Sequence, residues 1–357
     1  MRYTASSGRS TYPVILGAGV VSKLKRILES SKCLIVTTPS ALEHALAVAR
    51  VIGLEHTSVL KLPDGESAKT LSSVEYLWVQ INDHELTSAN TLIAVGGGAL
   101  TDVVGFTAAT WRRGMRWVAV PTTISGMVDA AIGGKTGVNS RAGKNTGGVL
   151  WDPTAVVADV NFLATLQRSS IADGLAEVVK VGLSHPGEAL AALSSWDGGS
   201  VTALIPALGA AVEVAVSVAS GRFGAGNQQD VLSLGHELAH SIESVTDFQV
   251  SHGKAVALGL IFATDLAGSL AGPDTLDLLR QTLGNCGLPT RLSEIQLKLP
   301  WEQIRQALRH DKRMGGELRF LLPTQGGVKW SEVLSEERVQ HAWVNLITGH
   351  SDHYRLP

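Results

Sequence analysis

Four short β-branched runs in the N-terminal part of the chain constrain the fold more than any other feature. Leu34–Thr38 (LIVTT), Ser58–Leu62 (SVLKL), Thr91–Val95 (TLIAV) and Trp117–Pro121 (WVAVP) read as strands, and a helical pattern follows the first as far as about Val51. Strands that alternate with helices predict a parallel sheet covered on both faces. Ligands of such sheets bind beyond the carboxyl ends of the strands. After about Asp159, helical patterns such as SSIADGLAEVVKVGL and WEQIRQALRHDKR take over. The expected class is α/β: an N-terminal doubly wound parallel-sheet domain over residues 1–160, then a mainly α-helical domain over residues 161–357. A functional site is expected in the cleft between them.

Composition narrows the function. At 357 residues, 45% hydrophobic and 17% charged, the chain can bury a core in each domain and is not disordered. A formal net charge of −2 gives no general pull toward nucleic acid or anionic membrane, so any phosphate binding has to be local. Cys33 and Cys286 are too few for a disulfide framework and fit a reducing cytosol. The segment MRYTASSGRSTYPVILG has no apolar signal core, and a cytoplasmic location is expected. Val201–Ser220 is nearly uncharged, but Glu213 and Pro206 make a buried alanine-rich helix the better reading than a membrane span.

Gly96-Gly97-Gly98 follows a strand and precedes a helical stretch, ALTDVVGFTAATW. Bare backbone there would let a pyrophosphate approach a helix N-terminus, although a tight strand-to-helix turn explains the glycines equally well. Asp102 could simply favour the helix N-terminus. Pro121–Asn145 is a polar, glycine-rich run that holds Thr122, Thr123, Asp129, Lys135, Lys144 and Asn145. It reads as a long loop around a small apolar patch, suited to an anionic ligand. Glu177, His236 and His252 could supply a carboxylate and two imidazoles to a catalytic metal. His236 and His240 are one helical turn apart, so both binding the metal stays open. Lys180 follows Glu177 on the same helix face, as an ion-pair partner or a phosphate ligand. Arg112 and Arg113 would close the preceding helix as favourable charges at its C-terminus.

With these segments in order, the chain resembles the 3-dehydroquinate synthase family of sugar phosphate cyclases. The resemblance rests on PDGESAK, GGGALTDVVGFTAATWRRG, VPTTISGMVDAAIGGKTGVN, GKN, GLAEVVK, LGHELAHSIE, HGKAVALG and HDKRMGGELRFLLP, and covers nearly the whole chain. It implies an NAD-binding first domain and a metal- and substrate-binding second domain. Asp64, Gly65, Glu66 and Lys69 would contact the nucleoside of NAD. Gly97, Gly98 and Asp102 would line its pyrophosphate and nicotinamide, with Thr122, Thr123, Lys144, Phe162 and Thr165 completing that site. Glu177, His236 and His252 would hold zinc or cobalt, which decides against His240 as a ligand. Asn145, Lys180, His240 and Lys312 would grip the substrate phosphate, with Arg113 reaching in from the partner of a homodimer, and Asp129 and Lys135 would meet the ring hydroxyls. The implied reaction converts 3-deoxy-arabino-heptulosonate 7-phosphate to 3-dehydroquinate in the shikimate pathway. It runs through oxidation, phosphate loss, re-reduction and aldol closure. Neither nucleic acid nor membrane is implied as a partner.

The sequence departs from the family at several positions. Counted back from His236, Ala215, Gln229 and Ser233 replace a lysine, an arginine and an asparagine that ordinarily surround the substrate carboxylate and hydroxyls. Loss of a charged partner for a desolvated carboxylate costs ~2–5 kcal/mol. Arg222 is a candidate substitute. Thr38 stands where a strand-end aspartate for the adenosine ribose is usual, and Glu237 replaces a threonine beside a metal ligand. Three expectations follow: a 3-dehydroquinate synthase with a rearranged carboxylate pocket, a sibling cyclase for a sugar phosphate without the carboxylate, and a catalytically impaired paralogue.

Overall fold

The computed structural model describes residues 1–357 apart from 8–9, 30, 54–57, 142, 186–187, 197, 222–229, 311–316 and 350–357. The chain forms two compact units, Met1–Leu166 with Ser200–Gly224, and Gln167–Gly199 with Ala225–Pro357. In chain order the strands of the first unit are β1 (Arg2–Ser6), β2 (Thr11–Gly17), β3 (Cys33–Thr37), β4 (Val59–Lys61), β5 (Thr91–Gly96), β6 (Arg116–Pro121), β7 (Lys135–Ser140), β8 (Gly143–Leu150) and β9 (Ala155–Asp159). Helices α1 (Leu24–Leu28), α2 (Leu42–Ile52), α3 (Leu71–Asp83) and α4 (Gly98–Thr110) lie between them. The second unit begins with α5 (Arg168–Ser184) and α6 (Glu188–Ser194). The chain then returns to the first unit for α7 (Ile205–Ala219). Next come α8 (His236–Val245), α9 (His252–Ala267), α10 (Thr275–Asn285), α11 (Trp301–His310) and α12 (Glu336–Thr348), with hairpin β10–β11 (Leu321–Thr324, Gly327–Trp330) before α12.

The sheet of the first unit has seven strands in the order β1-β2-β9-β6-β5-β3-β4, parallel throughout except for β1. Every residue of β3, β5 and β9 is buried, as expected where both faces are covered. Ile35, Ile93, Val95, Val118 and Val157 form one core with Leu24, Leu28, Ala45 and Val48 of α1 and α2. The alternate residues of β5, Leu92 and Ala94, point to the opposite face, where α4 packs on β5 and β6. The class read from the sequence, a parallel-sheet α/β core with a mainly helical remainder, is the architecture observed.

The division of the chain differs from the expected 1–160 and 161–357. Residues 161–166 and 200–224 belong to the sheet-containing unit. Apolar burial of α7 is the reason: its alanine, valine and leucine face packs on β1 and β2. Gly209 leaves room for the Met1 and Tyr3 side chains, and Tyr3 Oη donates to the Gly209 carbonyl at 3.0 Å. The polar run Pro121–Asn145 is also not one long loop. It contains a π-helical turn, Gly126–Ala130, and then enters the antiparallel hairpin β7–β8. Glycines make this hairpin possible, since a Cβ on Gly137 would sit 2.6 Å from the Gly147 carbonyl oxygen.

Candidate functional site

In the second unit, three helices converge on one cluster because glycines allow their backbones to touch. Gly235 caps α8 in the left-handed region (φ 75°), and a Cβ there would lie 2.8 Å from the backbone of Gly259 in α9. Gly253, near the start of α9, abuts the backbone of Asp173 in α5, and Ser251 Oγ donates to Asp173 Oδ1 at 2.6 Å. These two approaches bring together His236 and His252, the first residues of their helices, and Glu177, one turn beyond Asp173. One donor atom from each of the three lies within 4.8 Å of the others. His252 Nε2 is 3.1 Å and His236 Nε2 is 3.7 Å from Glu177 Oε1.

The donor set fits a divalent ion. Ligands about 2.0–2.1 Å from one tetrahedral ion are spaced by roughly 3.4 Å, and the two observed separations bracket that spacing. Both imidazoles use Nδ1 elsewhere, on Leu234 O at 3.2 Å for His236 and on Glu243 Oε1 at 3.3 Å for His252, which leaves each Nε2 facing Glu177. Glu177 and His236 are buried, whereas the His252 side chain is 44% exposed, so the cluster has an open side. Glu177 Oε2 makes an ion-pair contact with Lys180 Nζ without hydrogen-bond geometry.

Charges around the cluster are strongly perturbed. Burial opposes ionisation of Glu177, but Lys180 first, then the hydrogen bond from His252 and the two imidazoles, hold its carboxyl well below the usual range. Burial, with Lys180 next, pushes His236 down to about 3, so it stays neutral. Burial also opposes protonation of His252, yet the hydrogen bonds to Glu177 and Glu243 outweigh it and raise the imidazole to about 10. A divalent ion would therefore displace a proton from His252. His240, the rival ligand, meets the His236 ring edge-on with centroids 5.4 Å apart and is outside the three-residue cluster.

Since backbone rather than side chain fills the space at Gly253, Gly253→Ala cannot be absorbed by a rotamer change. The expected cost is ~1–3 kcal/mol of stability together with weaker zinc binding. Denaturant melts and chelator competition check this, and unchanged zinc affinity would refute the account of how the helices meet.

In the first unit the sequence-predicted residues gather at the carboxyl edge of the sheet. Gly96 ends β5, Gly97 caps α4 and Gly98 begins it, Thr122 and Thr123 follow β6, and Phe162 and Thr165 follow β9. The glycines are also required by packing, since a Cβ would lie 2.8 Å from Ala130 Cβ at Gly98 and 3.3 Å from Thr123 Cγ2 at Gly97. Thr123 Oγ1 accepts from Gly126 N at 3.2 Å, and Thr122 is buried. His44, which sequence reasoning missed, stacks on Phe162 with centroids 4.4 Å apart and bonds to Thr165 Oγ1 at 2.9 Å.

Buried Lys69 joins three segments. Its Nζ donates to Asp102 Oδ2 and to Asn145 Oδ1, both at 2.5 Å, and its carbonyl accepts from Asn139 N at 2.8 Å. Asn139 Nδ2 donates to Glu66 Oε2 at 2.7 Å. Beside this network, Asp102, Asp129, Lys135 and Asn145 line a cavity of about 530 Å³. Gly65 (φ 64°) opens the turn before Lys69, and Asp64 accepts from Ser40 Oγ at 2.6 Å, which puts a carboxylate beside the end of β3 although Thr38 is not acidic. Lys144 is exposed on the hairpin. Arg112 and Arg113 are not in the last turn of α4. They form a left-handed turn beyond it (φ 45° and 69°), and Arg112 lies over the Trp111 ring at 5.2 Å. Lys312, Gln229 and Arg222 lie outside the described residues.

Comparison with known proteins assigns the chain. Residues 59–173 match the family model for the 3-dehydroquinate synthase N-terminal region and residues 174–314 match that for the C-terminal region. A 3-dehydroquinate synthase of Leifsonia xyli subsp. xyli (strain CTCB07) is 35% identical over 327 residues, which cover 88% of this chain and 90% of the relative. A 2-deoxy-scyllo-inosose synthase complexed with carbaglucose-6-phosphate, NAD+ and Co2+ has the same fold, with TM-score 0.82, 22% identity and coverage of 96% and 99% of the two chains. So does a 2-epi-5-epi-valiolone synthase from Streptomyces hygroscopicus subsp. jinggangensis 5008 with NAD+ and Zn2+ bound, with TM-score 0.81, 24% identity and coverage of 97% and 99%. Two family models in tandem and a relative matched over nearly its full length mean that this chain belongs to the 3-dehydroquinate synthase family.

Proposed function

We propose that this chain is a cytoplasmic, homodimeric enzyme that converts 3-deoxy-arabino-heptulosonate 7-phosphate to 3-dehydroquinate and phosphate, with NAD and zinc or cobalt as cofactors. The observation that carries the reading is the Glu177–His236–His252 cluster with buried Lys180 against its carboxylate. That a solved neighbour of the same fold holds NAD+ with Co2+ and another holds NAD+ with Zn2+ supports the choice of cofactors. When bound, NAD supplies reversible hydride exchange and the divalent ion supplies Lewis-acid polarisation of a substrate hydroxyl.

The residues of the chain position and charge the reaction rather than attack the substrate. Glu177 and the two Nε2 atoms would hold the ion, with the Nδ1 atoms of the two rings turned away from it toward Leu234 O and Glu243 Oε1. Lys180, His240, Asn145 and Lys312 bind the substrate phosphate, and Arg113 of the second protomer joins them. Asp129 and Lys135 meet the ring hydroxyls. The N-terminus of α4, next to Gly97 and Gly98, receives the pyrophosphate, with Asp102 beside it. Asp64, Gly65, Glu66 and Lys69 hold the nucleoside, and Thr122, Thr123, Lys144, Phe162 and Thr165 complete the cofactor site. Preorganised charge of this kind lowers the barrier to phosphate loss without a dedicated protein nucleophile.

One observation favours a second reading. Ala215 is 4% exposed on α7, whose buried residues are all apolar or glycine, so no cation stands where the family has a lysine for the substrate carboxylate. A sugar phosphate without that carboxylate would not need it. Purified protein with NAD+ and Zn2+, offered the seven-carbon keto acid phosphate and sedoheptulose 7-phosphate separately, decides the matter. Phosphate release from the acid is the expected result. Release from sedoheptulose 7-phosphate alone would establish the sibling cyclase instead, and release from neither, with NAD+ still bound, would overturn both.

A further inference from the structure

The two histidines of the cluster are supported differently. His236 Nδ1 donates to the neutral backbone carbonyl of Leu234, whereas His252 Nδ1 faces the carboxylate of Glu243, which is itself 7% exposed. Glu243 lies seven residues after His236 on α8, and His252 is the first residue of α9. The contact between Glu243 Oε1 and His252 Nδ1, at 3.3 Å, therefore ties the helix that carries one imidazole to the imidazole on the other. On the far side of the same ring, Nε2 is 3.1 Å from Glu177 Oε1. The His252 ring is thus gripped at both nitrogens by carboxylates, while its side chain is 44% exposed.

We infer that Glu243 is a positioning residue of the metal centre: it keeps the Nδ1–H tautomer of His252, aims the Nε2 lone pair at the ion, and makes that imidazole a stronger donor. This inference rests on the metal site proposed above. A carboxylate behind a ligating imidazole fixes the tautomer and raises ligand basicity, and loss of such a partner costs about 10–100-fold in metal affinity. A neutral carbonyl supports His236 without adding charge, so His252 is the ligand whose strength the protein sets with a side chain.

The test measures zinc affinity by chelator competition, without turnover, in the full-length wild type, Glu243→Gln, His252→Ala and the double variant. Glu243→Gln keeps the shape of the side chain and removes its charge. It should weaken zinc binding at least about tenfold. In the His252→Ala background the same change should have no further effect, because Glu243 acts through that ring. Zinc affinity of Glu243→Gln within twofold of the wild type would overturn the inference, and so would an equal loss in both backgrounds, which marks a structural role. A wild type that binds no zinc would sink the metal site itself, a result separate from either of these.

Discussion

With chelator present, Glu177→Ala is expected to unfold at much lower urea than the wild type, while Glu177→Ala/Lys180→Met recovers most of the lost stability; assayed separately with zinc supplied, neither variant turns over substrate. Lys180 is 1% exposed, and the Glu177 carboxylate in contact with it is 3% exposed. Removing the acid alone leaves an ammonium ion in the protein interior without a counter-charge. Breaking a buried pair in this way costs ~3–5 kcal/mol, whereas replacing both partners with apolar groups is often neutral or stabilising. Chelator is needed because a bound ion would add its own binding free energy to the wild type only. The measurement is the urea midpoint and slope of each variant. If the double variant is as unstable as the single one, Glu177 stabilises the cluster through its histidine contacts and the ion pair contributes little. If Glu177→Ala still turns over substrate, the carboxylate is not a metal ligand.

Much of this arrangement was legible in the sequence because its signals are local. The four β-branched runs became strands at or within a few residues of the expected positions; for β3, β5 and β6 the reason is that a strand buried on both faces needs a continuous apolar run, whereas β4 is a short edge strand with only Leu60 buried. Lys180 met Glu177 because a spacing of three residues on one helix leaves little freedom. What the sequence concealed depends on tertiary approach. Glu243 carries no local mark of its contact with His252, which is made only after α8 and α9 pack through Gly235 and Gly259. The polar run after Pro121 looked like a loop because its glycines, read singly, signal turns. Paired across two strands, Gly137 and Gly148 instead permit a close antiparallel hairpin. Arg113 was expected at a helix end, yet the chain turns left-handed one residue earlier, at Arg112.

Lys69→Met should lose stability by an amount that grows with pH, and should lose NAD affinity with it. Burial raises the Asp102 carboxyl to about 6, and the charge and hydrogen bond of Lys69 are what keep it from rising further. An unfolded aspartate titrates near ~3.9, so the folded protein binds more protons than the unfolded chain over the interval between the two values. Stability therefore falls as pH rises through that interval, and in the wild type the penalty is complete once pH passes about 6. Without Lys69 the carboxyl shifts higher, the interval extends upward, and the penalty continues to accumulate through neutral pH. The deficit of the variant should shrink toward about pH 4 and approach ~3–5 kcal/mol in mild alkali, the cost of an unpaired buried charge. Asn145 loses a donor in the same step. The bond from its N–H to Asn139 Oδ1, at 2.9 Å, would still hold its left-handed backbone (φ 54°). Urea melts at about pH 5 and pH 8, with equilibrium dialysis of NAD+ at each, measure both effects. A deficit of equal size at the two pH values would reduce Lys69 to a packing role, and unchanged NAD+ affinity would separate the Lys69–Asp102 pair from the dinucleotide site.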